Sequence, residues 1–137
     1  MLHTPSQSVF IADDDEDDLY LIQLAFRENA PNCHLQFASN GRALLNLLEQ
    51  TSSYPCLIIL DLNMPFMNGF EVLQTLRANS AYEQIPIVVL TTSRSEEDRQ
   101  QALSLGANGF ISKPTSLAIL SQTIHQLSID WQLDQCL

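Results

Sequence analysis

Four consecutive apolar residues, Leu57-Ile58-Ile59-Leu60, end abruptly in the carboxylate of Asp61. A run this short and uniformly apolar fits a strand buried on both faces, as in a parallel sheet. Asp61 then stands at the carboxyl end of its strand, where open α/β sheets keep their ligand sites. A loop follows, punctuated by Pro65 and by Asn68-Gly69. Taken alone, an aspartate there serves as well to start a turn or cap a helix. Its meaning depends on the rest of the chain.

The rest repeats the pattern. Ser8-Val9-Phe10-Ile11-Ala12 reads as a first strand and runs into six acids, Asp13-Asp14-Asp15-Glu16-Asp17-Asp18. Leu21, Ile22, Ala25 and Phe26 then share one helical face, and Pro31 stops that helix. Leu35-Gln36-Phe37-Ala38 alternates as a half-exposed strand does, Asn40-Gly41 turns the chain, and Leu44, Leu47 and Leu48 mark a second helix. After Asn68-Gly69, Phe70, Val72, Leu73 and Leu76 mark a third. Pro86-Ile87-Val88-Val89-Leu90 is another apolar strand, ending in Thr91-Thr92-Ser93. Ser95 followed by Glu96-Glu97-Asp98 is a helix start, a hydroxyl cap with acids at the positive end of the dipole. That helix carries Ala102, Leu103 and Leu105 and stops at Gly106. Gly109-Phe110-Ile111-Ser112 is a fifth strand closed by Lys113-Pro114, and Leu117, Leu120, Ile124, Leu127 and Trp131 form a last helical stripe. Strands alternating with helices imply an α/β fold whose parallel sheet is covered on both faces.

Composition narrows the function. The 137 residues suffice for one domain with a real core. Apolar content of 45% is that of a globular chain. No apolar run approaches the roughly 20 residues that span a bilayer, and the first seven residues lack the basic and apolar regions of a signal peptide. The expectation is a cytoplasmic protein without membrane contact. A formal net charge of -10 disfavours direct binding to nucleic acid. Cys33, Cys56 and Cys136 are odd in number and show no metal-ligand spacing, and Cys33 and Cys56, in or beside strands, are expected to be reduced core or edge residues.

Polar residues collect where strands end: Asp13-Asp14, Asp61, Thr91 and Lys113 follow the first, third, fourth and fifth apolar runs. In a doubly wound, flavodoxin-like sheet of order 2-1-3-4-5, strands one and three are neighbours at the topological switch point. Asp13, Asp14 and Asp61 then converge. Carboxylates so close repel unless something positive joins them. Mg²⁺, which takes oxygen ligands and keeps several waters, meets that need. Asp14 and Asp61 suit direct ligation, Asp13 ligation through a water, and the backbone carbonyl of Asn63 a further ligand. Lys113 adds a mobile charge and Thr91 a hydroxyl, a set suited to phosphoryl transfer onto Asp61. Each residue alone has a plainer explanation: a surface lysine, loop threonines, a solvated acidic run in which Glu16, Asp17 and Asp18 do nothing more. The coincidence of four strand ends on one edge outweighs these.

Together, Asp13-Asp14, Leu60-Asp61-Leu62-Asn63-Met64-Pro65 with Asn68-Gly69, Thr91 five residues after Pro86, and Lys113-Pro114 resemble the receiver domain of two-component response regulators, relatives of the bacterial chemotaxis response regulator. The resemblance covers residues 8–128, leaving 1–7 and 129–137 as short tails. It implies that Asp61 is the phosphoacceptor, Asp13 and Asp14 the acidic Mg²⁺ pocket, Thr91 the switch hydroxyl and Lys113 the phosphate-contacting lysine. It also implies a cis Lys113-Pro114 peptide, since X-Pro bonds are those where cis is cheap. Phe110 falls at the family's switch-aromatic position, although strand packing explains it equally well. Asn63 and Ser93 flank the site, where they would tune the lifetime of the acyl phosphate.

The implied partners are a sensor histidine kinase, or a small phosphodonor, and an unknown downstream protein that takes the place of an output domain. Phosphate on Asp61 would draw Thr91 inward, let Phe110 turn in, and alter the face built by the fourth helix, fifth strand and fifth helix. The acidic run with Leu19 and Leu90-Thr91-Thr92-Ser93 is similar to stand-alone receivers paired with phytochrome-type kinases, although many of those carry Glu at position 13 and Pro at position 16. Those relatives often form homodimers through the last strand and helix, a role open to Trp131 and Leu133. Two other functions fit less well. A phosphohydrolase working through an aspartyl phosphate would favour a second acid where Asn63 stands. A phosphorylation-independent interaction module would tolerate loss of Asp14, Asp61 or Lys113, and all three are present.

Overall fold

A computed structural model describes residues 8–133. Strands and helices alternate as β1 (Ser8–Ala12), α1 (Glu16–Asn29), β2 (His34–Ala38), α2 (Gly41–Gln50), β3 (Leu57–Leu60), α3 (Gly69–Arg77), β4 (Ile87–Thr91), α4 (Glu96–Ser104), β5 (Gly109–Ser112) and α5 (Leu117–Asp130). The strands form one parallel sheet in the order β2-β1-β3-β4-β5, the topology the sequence implies.

The apolar runs are unbroken because each central strand feeds two cores. Successive side chains leave a strand on opposite faces. Phe10, Ala12, Ile58, Leu60, Ile87 and Val89 therefore point to one side, where they meet Leu44 and Leu48 of α2, Val72, Leu73 and Leu76 of α3, and Ala102 of α4. Val9, Ile11, Leu57, Ile59, Val88 and Leu90 point to the other, against Ile22, Ala25 and Phe26 of α1 and Leu120, Ile124 and Leu127 of α5. Truncating one such buried residue to alanine costs about 2–5 kcal/mol. The central strands β1, β3 and β4 are wholly buried, whereas the edge strands β2 and β5 are not.

Helix starts are fixed by side chains. Asp15 caps α1 by accepting from the N–H groups of Asp17 and Asp18. Ser95 caps α4 and Ser116 caps α5. Asn68 and Glu71 form a reciprocal capping box on α3. Gly69 stands there because of a close approach: a Cβ at that position would lie 2.5 Å from the Asp61 carbonyl oxygen and 2.8 Å from Leu62 Cα.

Two expectations need correction. The domain does not give way to a tail at residue 129: α5 continues to Asp130, and Leu133 is fully buried in the α1–α5 core with Trp131 packed against it. Leu133 is thus committed within the fold and not offered to a partner. Leu117 keeps the spacing of the helical stripe but, as the first residue of α5, is half exposed and not buried with the others. Residues 134–137, including Cys136, lie outside the described residues, as do 1–7. Among the described residues, no helix is long and apolar enough to cross a membrane.

Candidate functional site

The ladder of backbone hydrogen bonds runs one residue past several strands, and so fixes the main chain of the polar groups there. The Asp13 N–H donates to the Ala38 carbonyl at 3.0 Å, the Asp61 N–H to the Ala12 carbonyl at 3.0 Å, and the Lys113 N–H to the Thr91 carbonyl at 2.7 Å. Asp13, Asp61, Thr91 and Lys113 therefore stand on the carboxyl edge of the sheet with little freedom. Asp13, Asp61 and Thr91 are buried.

Lys113 is the hub. Its ammonium lies 2.7 Å from Asp13 Oδ2, 2.6 Å from Asp18 Oδ2 and 3.2 Å from Asp61 Oδ2. An ammonium has three N–H donors, and three carboxylates face it. Burial opposes the charge of Lys113, but its bonds to Asp13 and Asp18 and the field of Asp61 outweigh that, leaving its pKa above the ordinary lysine value. Asp13 shows the opposite balance. Burial pushes its carboxyl up to about 6, against the pull of Lys113 and of the Asp15 N–H, which donates to Asp13 Oδ1 at 2.9 Å.

Carboxylate oxygens of Asp13, Asp14 and Asp61 can all lie within 4.8 Å of one another, with Asp14 exposed to solvent. Three hard oxygen donors, one on the open side where waters can complete the shell, match what a small divalent cation requires. Asn63 is also exposed, and its N–H approaches Asp61 Oδ1 at 3.4 Å. Thr91 Oγ1 accepts from the Ser93 N–H at 3.3 Å. The Ser93 hydroxyl is engaged elsewhere: it donates to Asp98 Oδ2 at 2.7 Å in the first turn of α4. Phe110 is half buried against the core on the α4 side.

Asp18 is the site residue that the sequence reading passes over. Its run of six acids resembles a solvated patch, yet Asp18 lies on the same helical stripe as Ile22 and Ala25, at i, i+4 and i+7. That stripe turns inward, and it carries Asp18 to Lys113. A second correction concerns Lys113-Pro114: no cis peptide bond occurs among the described residues, so this bond is trans. Trans remains the favoured isomer by about 0.5–1 kcal/mol even before proline.

The family model for the response regulator receiver domain matches residues 9–125. Response regulator Rcp1 of Synechocystis sp. is 30% identical over 132 residues, covering 93% of this chain and 90% of that protein. A probable methanogenesis regulatory protein, FilR2 of Methanothrix harundinacea, is 30% identical over 127 residues, covering 90% and 82%. Among solved structures, the phosphorylated cyanobacterial phytochrome response regulator RcpA superposes with a TM-score of 0.86 at 30% identity, covering 92% of this chain and 94% of that one. The Mn²⁺-bound form of Rcp1 gives a TM-score of 0.83, also at 30% identity, covering 91% and 94%. Receiver domains bind a divalent metal ion, are phosphorylated by histidine kinases, and act as phosphoacceptor switches that engage downstream partners. With the receiver model spanning nearly the whole described chain, and the acids, hydroxyl and lysine gathered at one sheet edge, the chain belongs to the response-regulator receiver family of two-component phosphorelay signalling.

Proposed function

We propose that Asp61 is the phosphoacceptor of this receiver and that Mg²⁺ is its physiological cation, held by Asp13, Asp14, Asp61 and the carbonyl of Asn63. The observation that carries this reading is the convergence of Lys113 with Asp13 and Asp61 at the end of the central strands. When bound, the cation supplies positive charge against the phosphoryl oxygens. The side chains do the rest. An Asp61 carboxylate oxygen attacks phosphorus of a phosphohistidine, the P–N bond breaks, and the imidazole leaves with its electron pair and takes up a proton. Lys113 donates an N–H to one phosphoryl oxygen, and the Thr91 hydroxyl donates its O–H to another. Thr91, whose Oγ1 now accepts from the Ser93 N–H, would turn its O–H toward the phosphoryl group. Phe110 then turns toward the space released, biasing the α4–β5–α5 face between two packings.

The kinase is proposed to be of the phytochrome type, on the strength of the similarity to Rcp1 and RcpA, and the setting to be the cytoplasm. A downstream protein, or a second copy of this chain, would read the α4–β5–α5 face. The half-exposed Leu117 and Ile119 on α5 support an apolar contact there. Phosphotransfer from purified phytochrome-type histidine kinases tests the assignment. Label is expected on the wild-type chain within the time of a kinase's preferred transfer and absent from Asp61→Asn. Label retained by Asp61→Asn would move the acceptor elsewhere.

A further inference from the structure

We propose that Asp18 is a positioning residue for phosphoryl transfer, a resting-state counter-ligand that holds Lys113 back from Asp61. The inference rests on the assignment of Asp61 as phosphoacceptor and adds a control on its chemistry.

The distances carry it. Lys113 lies 2.6 Å from Asp18 and 2.7 Å from Asp13, but 3.2 Å from Asp61. The ammonium is therefore drawn toward the α1 side of the site, away from the reacting carboxylate. Its side chain is 11% exposed and that of Asp18 29% exposed, so solvent competes only weakly with the pair. Lys113, Pro114 and Asp18 line a small cavity floored by Leu21, Ile22, Leu90 and Leu120. This apolar floor offers the ammonium no alternative partner.

Asp18 differs from the other two carboxylates in what it can do next. Asp13 and Asp61 belong to the set that fits a cation. Asp18 does not, so its charge stays available to Lys113 throughout. All three ammonium donors are in use at rest. The donor that already faces Asp61 stands at 3.2 Å, so it reaches a phosphoryl oxygen there at full strength only as Lys113 moves closer, which lengthens the 2.6 Å Asp18 contact. Charge-assisted hydrogen bonds are among the stronger ones, so that shift has a cost in the transition state. Removing the Asp18 charge releases Lys113 in advance.

The test uses the full chain with Mg²⁺ and acetyl phosphate. In this reaction an Asp61 oxygen bonds to phosphorus while the P–O bond to acetate breaks, and acetate leaves with the electron pair. Asp18→Asn is expected to accelerate phosphorylation about three- to tenfold, and Asp18→Glu, which keeps the charge, to stay near the wild-type rate. Asp17→Asn removes the same charge from an exposed neighbour that does not touch Lys113, and should change the rate far less. An Asp18→Asn rate at or below wild type, or equal acceleration by Asp17→Asn, overturns the proposal. Nuclear magnetic resonance of the wild-type chain supplies a readout that needs no variant. On adding Mg²⁺ and beryllofluoride, the Asp18 carboxyl carbon signal should shift as Lys113 leaves it, and an unmoved Asp18 signal with a saturated site contradicts the idea. A wild-type chain that takes no phosphate at all would instead refute the phosphoacceptor assignment itself.

Discussion

Lys113 reaches Asp13 across two intervening strands. The two residues follow β5 and β1, which β3 and β4 separate in the sheet, yet Nζ and Oδ2 meet at 2.7 Å. The long, flexible lysine stem makes this span feasible, and a compact ammonium with three donors can face several carboxylates at once. Replacing Lys113 by methionine should leave the acids uncompensated and cost about 3 kcal/mol in the absence of metal. Urea unfolding checks this, and added Mg²⁺ should recover a larger share of stability in Lys113→Met than in the wild-type chain.

The elevated Asp13 pKa gives a pH signature with a defined sign. The unfolded chain titrates Asp13 near 3.8 and the folded chain near 6. Between those values the folded state binds more protons, so this group's contribution to stability falls as pH rises through the window and levels off above it. The full penalty is on the order of 1–3 kcal/mol. Cation binding needs the deprotonated carboxylate. Stabilisation by Mg²⁺ should therefore be small near about pH 5 and large near about pH 8. Asp13→Asn should be more stable than wild type without metal at the higher pH, and nearly indifferent to Mg²⁺. Denaturation titrations of both proteins at the two pH values measure it.

The loop after Asp61 stores strain at Phe66. This residue has a φ of 68°, is 89% exposed, and sits in a tight turn closed by the Met67 N–H on the Pro65 carbonyl at 2.7 Å. A bulky residue in the left-handed region costs of order 1 kcal/mol, and one so exposed returns little through packing. Phe66→Gly should raise the unfolding free energy by about 0.5–1 kcal/mol after the greater freedom of glycine in the unfolded chain is counted. Thermal unfolding followed by circular dichroism would register the gain.

Gly69 makes the complementary case. A methyl group there meets the Asp61 carbonyl oxygen and Leu62 Cα, so Gly69→Ala must push the main chain that carries the acceptor. A loss of about 1–3 kcal/mol is expected, together with slower phosphorylation by acetyl phosphate. Paired unfolding and phosphorylation measurements on the one variant test both effects.

Periodicity and strand-end chemistry made most of this molecule legible in its sequence. Uniformly apolar runs of four or five residues announced central parallel strands, and the residues just beyond them announced the site. What stayed hidden was set by three-dimensional context. Asp18 was masked by its five acidic neighbours, because a charge run carries no mark of which member turns inward; the stripe shared with Ile22 and Ala25 was the available signal. The trans isomer at Lys113-Pro114 is not encoded in the dipeptide, since both isomers are close in energy. The place of the C-terminal residues in the core is hidden because it depends on the α1 surface: Leu133 is buried among residues far away in sequence, and its carbonyl accepts from Cys33 Sγ at 3.2 Å.

The central claim is that Asp61 accepts a phosphoryl group at a site organised by Lys113 and the acidic pocket. Intact-mass spectrometry of the chain after incubation with acetyl phosphate, with and without Mg²⁺, tests it most directly. One added phosphoryl group is expected in the presence of Mg²⁺, with none on Asp61→Asn and little without the cation. No mass gain on the wild-type chain under these conditions, or an equal gain on Asp61→Asn, would contradict the account.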